Sequence, residues 1–331
     1  MIRSDLTYAL STGKPLLIDP IKAKSFLANA NSILSNPDLA YLLSQHVAGK
    51  SYEAKQDAGP KGKRFAPKAD DDDFGDTGIA VSTKPYVRDG IGIIPVRGVI
   101  GKTLSALEAM LGCADIDTIA KTLDEWKDND NIFEVILAID SGGGSTTGLE
   151  ELAKKIRNYE KPTIGFSESD MGSAAFWIGS QCKRLVVTPS SSVGACGVYI
   201  TMNDDRKKYE KEGREVVVIK SGKYKAAGVE GTSLTDDQMK SLQEEVDELH
   251  NRFIRDVTSV RQFAKLDDLQ GQSFYGDKAV ARGLCTGLVD SFEDLITDIK
   301  NTRRVAHRTT LPGLYNPIYP SSMDGIQPYQ G

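Results

Sequence analysis

Between Tyr86 and Val260 the sequence alternates short apolar runs with segments whose apolar residues recur every three or four positions. That alternation restricts the chain to architectures in which strands and helices take turns. Ile91-Gly92-Ile93-Ile94-Pro95-Val96 reads as a buried strand, Asp115 to Trp126 as a helix, and Val135-Ile136-Leu137-Ala138-Ile139 as a second strand. A helix with Leu149, Leu152, Ala153 and Ile156 on one face follows, then a strand at Pro162-Thr163-Ile164-Gly165-Phe166, a helix from Ala174 to Cys182 and a strand at Arg184-Leu185-Val186-Val187-Thr188. The pattern predicts an α/β fold with a parallel sheet and crossover helices, whose site lies in loops at the carboxyl ends of the strands. Farther on, Thr235-Asp236-Asp237-Gln238 is a capping box, and Met239, Leu242, Val246, Leu249, Phe253 and Val257 extend the helix it opens to about Val260. A shorter helix around Asp277 to Arg282 leads to Gly287-Leu288-Val289-Asp290.

The flanks divide the chain into four expected parts. Residues 1–48 hold only short apolar clusters, Pro15-Leu16-Leu17-Ile18 and Phe26-Leu27-Ala28, and read as an N-terminal appendage with a strand-like stretch. Residues 49–84 turn polar, with Lys61-Gly62-Lys63-Arg64 and then Asp70-Asp71-Asp72-Asp73, the composition of a flexible linker. Residues 85–302 carry the main domain. From 303 to 331, Pro312, Pro317, Pro320 and Pro328 alternate with tyrosines, predicting an irregular, disordered tail.

Composition removes several classes of function. A formal net charge of −5 gives no broad attraction for nucleic acid or an anionic membrane. The four cysteines, Cys113, Cys182, Cys196 and Cys285, form no CxxC pair, which argues against a zinc knuckle or a disulfide scaffold and predicts reduced, buried thiols. Neither a basic-then-apolar leader nor a run of about 18 apolar residues occurs, so a soluble, intracellular protein without a membrane anchor is expected.

The chemistry centres on Ser173, set among small residues in Met171-Gly172-Ser173-Ala174-Ala175. A serine hydroxyl needs a neighbouring base to become a nucleophile. His46, His250 and His307 do not fall at predicted strand ends, so a histidine triad is disfavoured. A lysine serves only as the neutral amine, and an unperturbed lysine is neutral in about one molecule in 2500 at pH 7, so burial has to supply the base. Val216-Val217-Val218-Ile219 reads as an apolar strand, and Lys220, Lys223 and Lys225 follow it; spacing alone does not choose among them. Upstream, Asp140-Ser141-Gly142-Gly143-Gly144-Ser145 is expected to form a turn that closes a strand, opens a helix and aims amides at an anion. It lacks the lysine of a phosphate loop and the spacing of a dinucleotide fingerprint.

Four blocks together resemble the signal peptide peptidase, or protease IV, family of serine-lysine peptidases. They are Ile139-Asp140-Ser141-Gly142-Gly143-Gly144, Met171-Gly172-Ser173-Ala174-Ala175, Val193-Gly194-Ala195-Cys196-Gly197-Val198 and Lys220-Ser221-Gly222-Lys223-Tyr224-Lys225. The resemblance implies a Clp protease/crotonase-like fold with repeated β-β-α units, Ser173 as nucleophile, Lys225 as base, and an oxyanion hole of Gly143 or Gly144 with Ala174. It implies no metal and no cofactor. Gly142 replaces the family's proline, and Ala195 replaces the serine that orients the lysine, a role left to Ser192 or Ser221. The short N-terminal segment and polar linker are similar to phage head maturation proteases of the protein-C type. That implies a ring-forming homo-oligomer that cleaves capsid and scaffold precursors in the host cytoplasm, within the assembling prohead. The alternatives are a cytoplasmic bacterial protease of the same family, a crotonase-like enzyme acting on acyl thioesters, and a catalytically silent, ring-forming assembly protein.

Overall fold

A computed structural model of the chain describes residues 16–18, 84–105, 108, 109 and 112–309. Most of the expected appendage, nearly all of the polar linker and the tail from 310 onward lie outside the described residues. In chain order the elements are β1 (Leu16–Ile18), β2 (Tyr86–Arg88), β3 (Ile91–Gly101), β4 (Ala114–Asp115), α1 (Ile116–Lys127), β5 (Glu134–Ser145), α2 (Leu149–Arg157) and β6 (Thr163–Ser167). They continue with β7 (Asp170–Gly172), α3 (Ala174–Ser180), β8 (Arg184–Val187), β9 (Ser192–Gly194), α4 (Arg206–Lys211) and α5 (Asp236–Val260). After a 3₁₀ turn come β10 (Ser273–Tyr275), α6 (Gly276–Ala281), β11 (Gly287–Leu288) and α7 (Phe292–Thr309).

The chain divides into two compact units, Met1–Leu288 and Val289–Gly331. In the second, α7 begins after Ser291, whose hydroxyl accepts from the Asp294 N–H at 3.2 Å and donates to the Asp294 carboxylate at 2.6 Å. Its helix runs on to Thr309, through the start of the segment expected to be irregular.

In the first unit β5 organises the sheet. One edge of β5 pairs in parallel with β3, from Ile91 opposite Glu134 to Ile100 opposite Gly144. The other edge is shared in succession by β6 along Val135–Ala138, by β7 at Ser141 and by β1, antiparallel, along Gly143–Ser145. β6, β8 and β11 extend one sheet, while β7, β9 and β10 extend the other. The chain therefore places β6 in the first sheet and β7 in the second before entering α3, then repeats the step with β8 and β9. This is the expected α/β architecture with β-β-α repeats. β3 and the first half of β5 are almost continuously buried, as strands covered on both faces must be.

The helices form where the sequence signals them. The Asp115 carboxylate caps α1 by accepting from the N–H groups of Asp117 and Thr118. Leu149, Leu152, Ala153 and Ile156 are the buried face of α2. Thr235 and Gln238 cap α5 reciprocally, and the helix ends at Val260.

Two local expectations are corrected. The glycine segment is not a turn: β5 runs straight through Gly142, Gly143 and Gly144 to Ser145, and α2 begins only after Gly148. β3 approaches so closely here that a Cβ on Gly144 would stand 1.9 Å from the Ile100 carbonyl oxygen, so glycine serves strand packing. The second correction concerns Val216–Ile219, which forms no strand; Val217 is 74% and Ile219 97% exposed. An apolar run becomes a strand only beside a partner, and none pairs with it among the described residues.

α3 is wholly buried and anchored by α5. The Trp177 ring stacks on Phe253 at 4.7 Å, and its Nε1 donates to the buried Asp256 carboxylate at 3.0 Å. Arg157 donates to the same carboxylate at 3.2 Å, and the Gln181 side chain donates to the Asp256 carbonyl at 3.1 Å. Buried Arg261 donates through Nε to the Ser180 carbonyl at 3.0 Å and through Nη2 to that of Cys182, satisfying acceptors at the end of α3. Replacing Asp256 by alanine leaves the buried Trp177 N–H without its acceptor and Arg157 without its carboxylate partner, with only the Gln181 side-chain oxygen still accepting from Arg157. It should lower unfolding free energy by about 3 kcal/mol in urea titration.

The cysteines are free, and burial pushes the thiols of Cys182 and Cys285 up to about 12. The folded state holds these protons more tightly than the unfolded chain, whose thiols ionise near pH 9. Their contribution is intact below about pH 9 and is lost as pH rises toward 12, at about 1.4 kcal/mol per pH unit per thiol. Urea midpoints measured from pH 8 to 11 should fall accordingly, and serine replacements of Cys182 and Cys285 should flatten the decline.

Candidate active site

Ser173 stands where β7 gives way to α3, with φ 54° and ψ −119°. Such a backbone costs a residue with a side chain about 1–3 kcal/mol and persists only where its surroundings impose it. Here the Ser173 N–H donates to the Gly194 carbonyl at 2.7 Å, and its own carbonyl accepts from the Trp177 N–H at 2.9 Å. The hydroxyl donates to the Gly197 carbonyl at 3.4 Å. Ser173 is 2% exposed in this protomer. The N–H of Ala174, in the first turn of α3, has no acceptor within the helix and is oriented by the helix dipole.

The glycine strand lies beside it. A Cβ on Gly172 would meet the Gly142 carbonyl at 3.3 Å, so the residue preceding the serine is packed against the glycine segment. Gly143 has φ 111°, a conformation that favours glycine, and its N–H donates to the Ser141 hydroxyl at 3.1 Å. That hydroxyl in turn donates to the Gly98 carbonyl at 2.5 Å. Gly144 is held between Ile100 of β3 and Leu17 of β1.

The loop after β9 completes the immediate surroundings. Ala195 takes φ 51° and its N–H donates to the Gln272 carbonyl at 2.8 Å. Gly197 donates back to Ala195 at 2.9 Å. The Ser192 N–H donates to the Ser169 carbonyl at 2.8 Å, with its side chain half-buried on β9. Gly194 and Gly197, which receive the two hydrogen bonds of Ser173, had no role assigned from sequence. Their signal was present only as a Gly-Ala-Cys-Gly spacing, whose contact with Ser173 depends on the pairing of β7 with β9.

The lysines lie in a turn before α5. Lys220 Nζ donates to the Lys223 carbonyl at 3.2 Å, and Lys223 Nζ pairs with Asp237 at 3.0 Å. The Asp237 hydrogen bond holds the Lys223 amine above its ordinary value. Lys225 is exposed, with its N–H bonded to the Gly222 carbonyl and its carbonyl accepting from Gln238. Its amine has no partner among the described residues, and no hydrogen bond links it to Ser173 within the protomer. Ser221 is exposed on the same turn. Of the histidines, His250 has Nε2 at 3.0 Å from the Leu269 carbonyl, while His46 lies outside the described residues. No cluster of metal-ligating side chains occurs among the described residues, and no helix there is long and apolar enough to cross a membrane.

Comparison with known proteins adds to this geometry. The chain is 25% identical over 300 residues to "Capsid assembly protease C" of Escherichia phage lambda, covering 88% of this chain and 64% of that protein. It is 25% identical over 210 residues to "Head-tail preconnector protein GP5" of Enterobacteria phage P21, covering 62% of this chain and 42% of that protein. It thus spans less than two thirds of the length of either phage relative. Among solved structures, a membrane-bound stomatin-specific protease in complex with a substrate peptide superposes with a TM-score of 0.37 at 14% identity, covering 62% of this chain and 78% of that one. The model of peptidase family S49 matches residues 155–306, a stretch that holds both Ser173 and Lys225 and leaves Gly143 and Gly144 just outside it.

Proposed function

We propose that this protein is a serine endopeptidase in which Ser173 attacks the peptide carbonyl and Lys225, as the neutral amine, takes the serine proton and then protonates the leaving amine. The observation that carries this reading is the backbone of Ser173. A strained strand-to-helix junction at φ 54°, imposed by hydrogen bonds at 2.7 and 2.9 Å, presents one buried hydroxyl beside a helix N-terminus and a glycine strand. In this mechanism the amides of Ala174 and of Gly144, or of Gly143 once it releases the Ser141 hydroxyl, hold the oxyanion, each donor worth about 3 kcal/mol. The chemistry needs no metal and no cofactor.

Lys225 is favoured over its two neighbours because Lys220 and Lys223 are already engaged. General-base catalysis requires that its amine be desolvated, which the exposed turn of a single protomer does not provide. The same segment carries the uncovered Val217, Val218 and Ile219. A homo-oligomer that covers this stretch supplies the missing burial and brings the lysine to a serine, with Ser192 or Ser221 orienting it. The likeness to a capsid assembly protease supports capsid and scaffold precursors as substrates, cleaved within a prohead in the host cytoplasm. The exposure of Lys225 favours one second reading, a catalytically silent assembly protein that uses the fold as a ring element.

Mass spectrometry of capsid precursors co-produced with the full chain tests the first reading. Ser173→Ala should abolish precursor cleavage, and so should Lys225→Ala and Lys225→Arg, with urea midpoints unchanged for the lysine variants; retained cleavage in any of them contradicts the assignment. The cleavage rate of the parent should climb with pH as the base loses its proton, and a profile flat from about pH 5 to about pH 9 excludes a lysine base.

A further inference from the structure

The edge of β5 next to Ser173 is filled by the chain itself. β3 occupies one edge of β5 as far as Gly144, so β6, β7 and β1 must share the other. Along that edge β7 ends at Gly172, and Ser173 follows immediately. At the next positions, Gly143 to Ser145, β1 is the strand on the edge facing away from β3, and it lies beside the nucleophile. An exposed sheet edge takes up an extended peptide by adding it as a strand, with affinity from main-chain hydrogen bonds. β1 does this with Ile18 opposite Gly143, Leu17 opposite Gly144 and Leu16 opposite Ser145, so its chain direction runs toward the serine.

We propose that Leu16–Ile18 occupies the strand position of a substrate and holds the site closed until a competing peptide displaces it. This inference rests on the reading of Ser173 as the nucleophile. The occupant pairs through its main chain, which identifies extended segments before the cleaved bond as the peptide class the edge accepts. Three paired residues make a short strand, so a substrate offering a longer one, at the local concentrations of an assembling shell, outcompetes it. The segment thus delays cleavage until the substrate is concentrated.

The test uses the full chain carrying Ser173→Ala, so that no cleavage intervenes, and a fluorescein-labelled peptide copying residues 12–21. A second chain adds Leu17→Pro and Ile18→Pro. Successive residues of an antiparallel strand face the partner alternately, so one of these two prolines removes an N–H directed at β5 whichever the phase. The apparent affinity of the labelled peptide falls by the fraction of molecules whose edge is open, so the proline chain should bind it at least about tenfold more tightly than its parent. Hydrogen exchange read without peptide should show lower protection across Gly143–Ser145 in the proline chain than in the parent, with α3 and β5 up to Ile139 equally protected in both. Equal affinity, including no binding to either chain, or unchanged protection at Gly143–Ser145 overturns the proposal. Both readouts are independent of catalysis. If the proline chain gains binding and loses protection while the chain with Ser173 intact cleaves nothing, the edge is occluded as proposed and the nucleophile reading alone fails.

Discussion

The conformation of Ser173 is the constraint from which the rest of the site follows. A residue with a side chain does not sit at φ 54° unless several independent elements hold it there. β9 supplies the Gly194 carbonyl to its N–H, and α3 supplies the Trp177 N–H to its carbonyl. α3 in turn keeps its place because Trp177 stacks on Phe253 and bonds to Asp256, which Arg157 neutralises. The strain at one serine is therefore supported by a buried polar network on α2, α3 and α5, far along the chain from the hydroxyl it positions.

Much of the framework was legible in the sequence because it rests on long, periodic segments. The apolar faces of α2 and α5 and the buried runs of β3 and β5 each span enough residues for burial to impose a period. The short strands β4, β7, β9 and β10, of two or three residues each, leave no such trace. Yet β7 and β9 are what bring Gly194 and Gly197 to Ser173, so the serine was visible while the groups that hold it were not. The glycine segment misled for a physical reason: glycine permits a turn and also permits two strands to approach within van der Waals distance, and only the position of Ile100 decides between them.

Val216–Ile219 misled in the opposite sense. Its composition is that of a strand, but a strand is a property of a pair, and no strand pairs with it among the described residues. The same exposed segment leads into the turn that bears Lys225, whose amine is the one among the three candidate lysines left unengaged. In the mechanism proposed above, burial of the apolar run and desolvation of the base are a single requirement, which a second copy of the chain would meet in one step. On the other side of the serine, β1 and the glycine strand set the second requirement, an open edge for the substrate. The proposed mechanism therefore has three conditions: a serine preorganised within the protomer, a base completed by assembly, and an edge cleared by the substrate itself.

The most direct measurement is covalent labelling of the assembled, full-length protein with a peptidyl diphenyl phosphonate, with the adduct mapped by mass spectrometry. The account predicts phosphonylation at Ser173 alone, lost in the Lys225→Ala chain and restricted to oligomeric fractions. Labelling at another serine, or at Ser173 with equal speed in the Lys225→Ala chain, would contradict it.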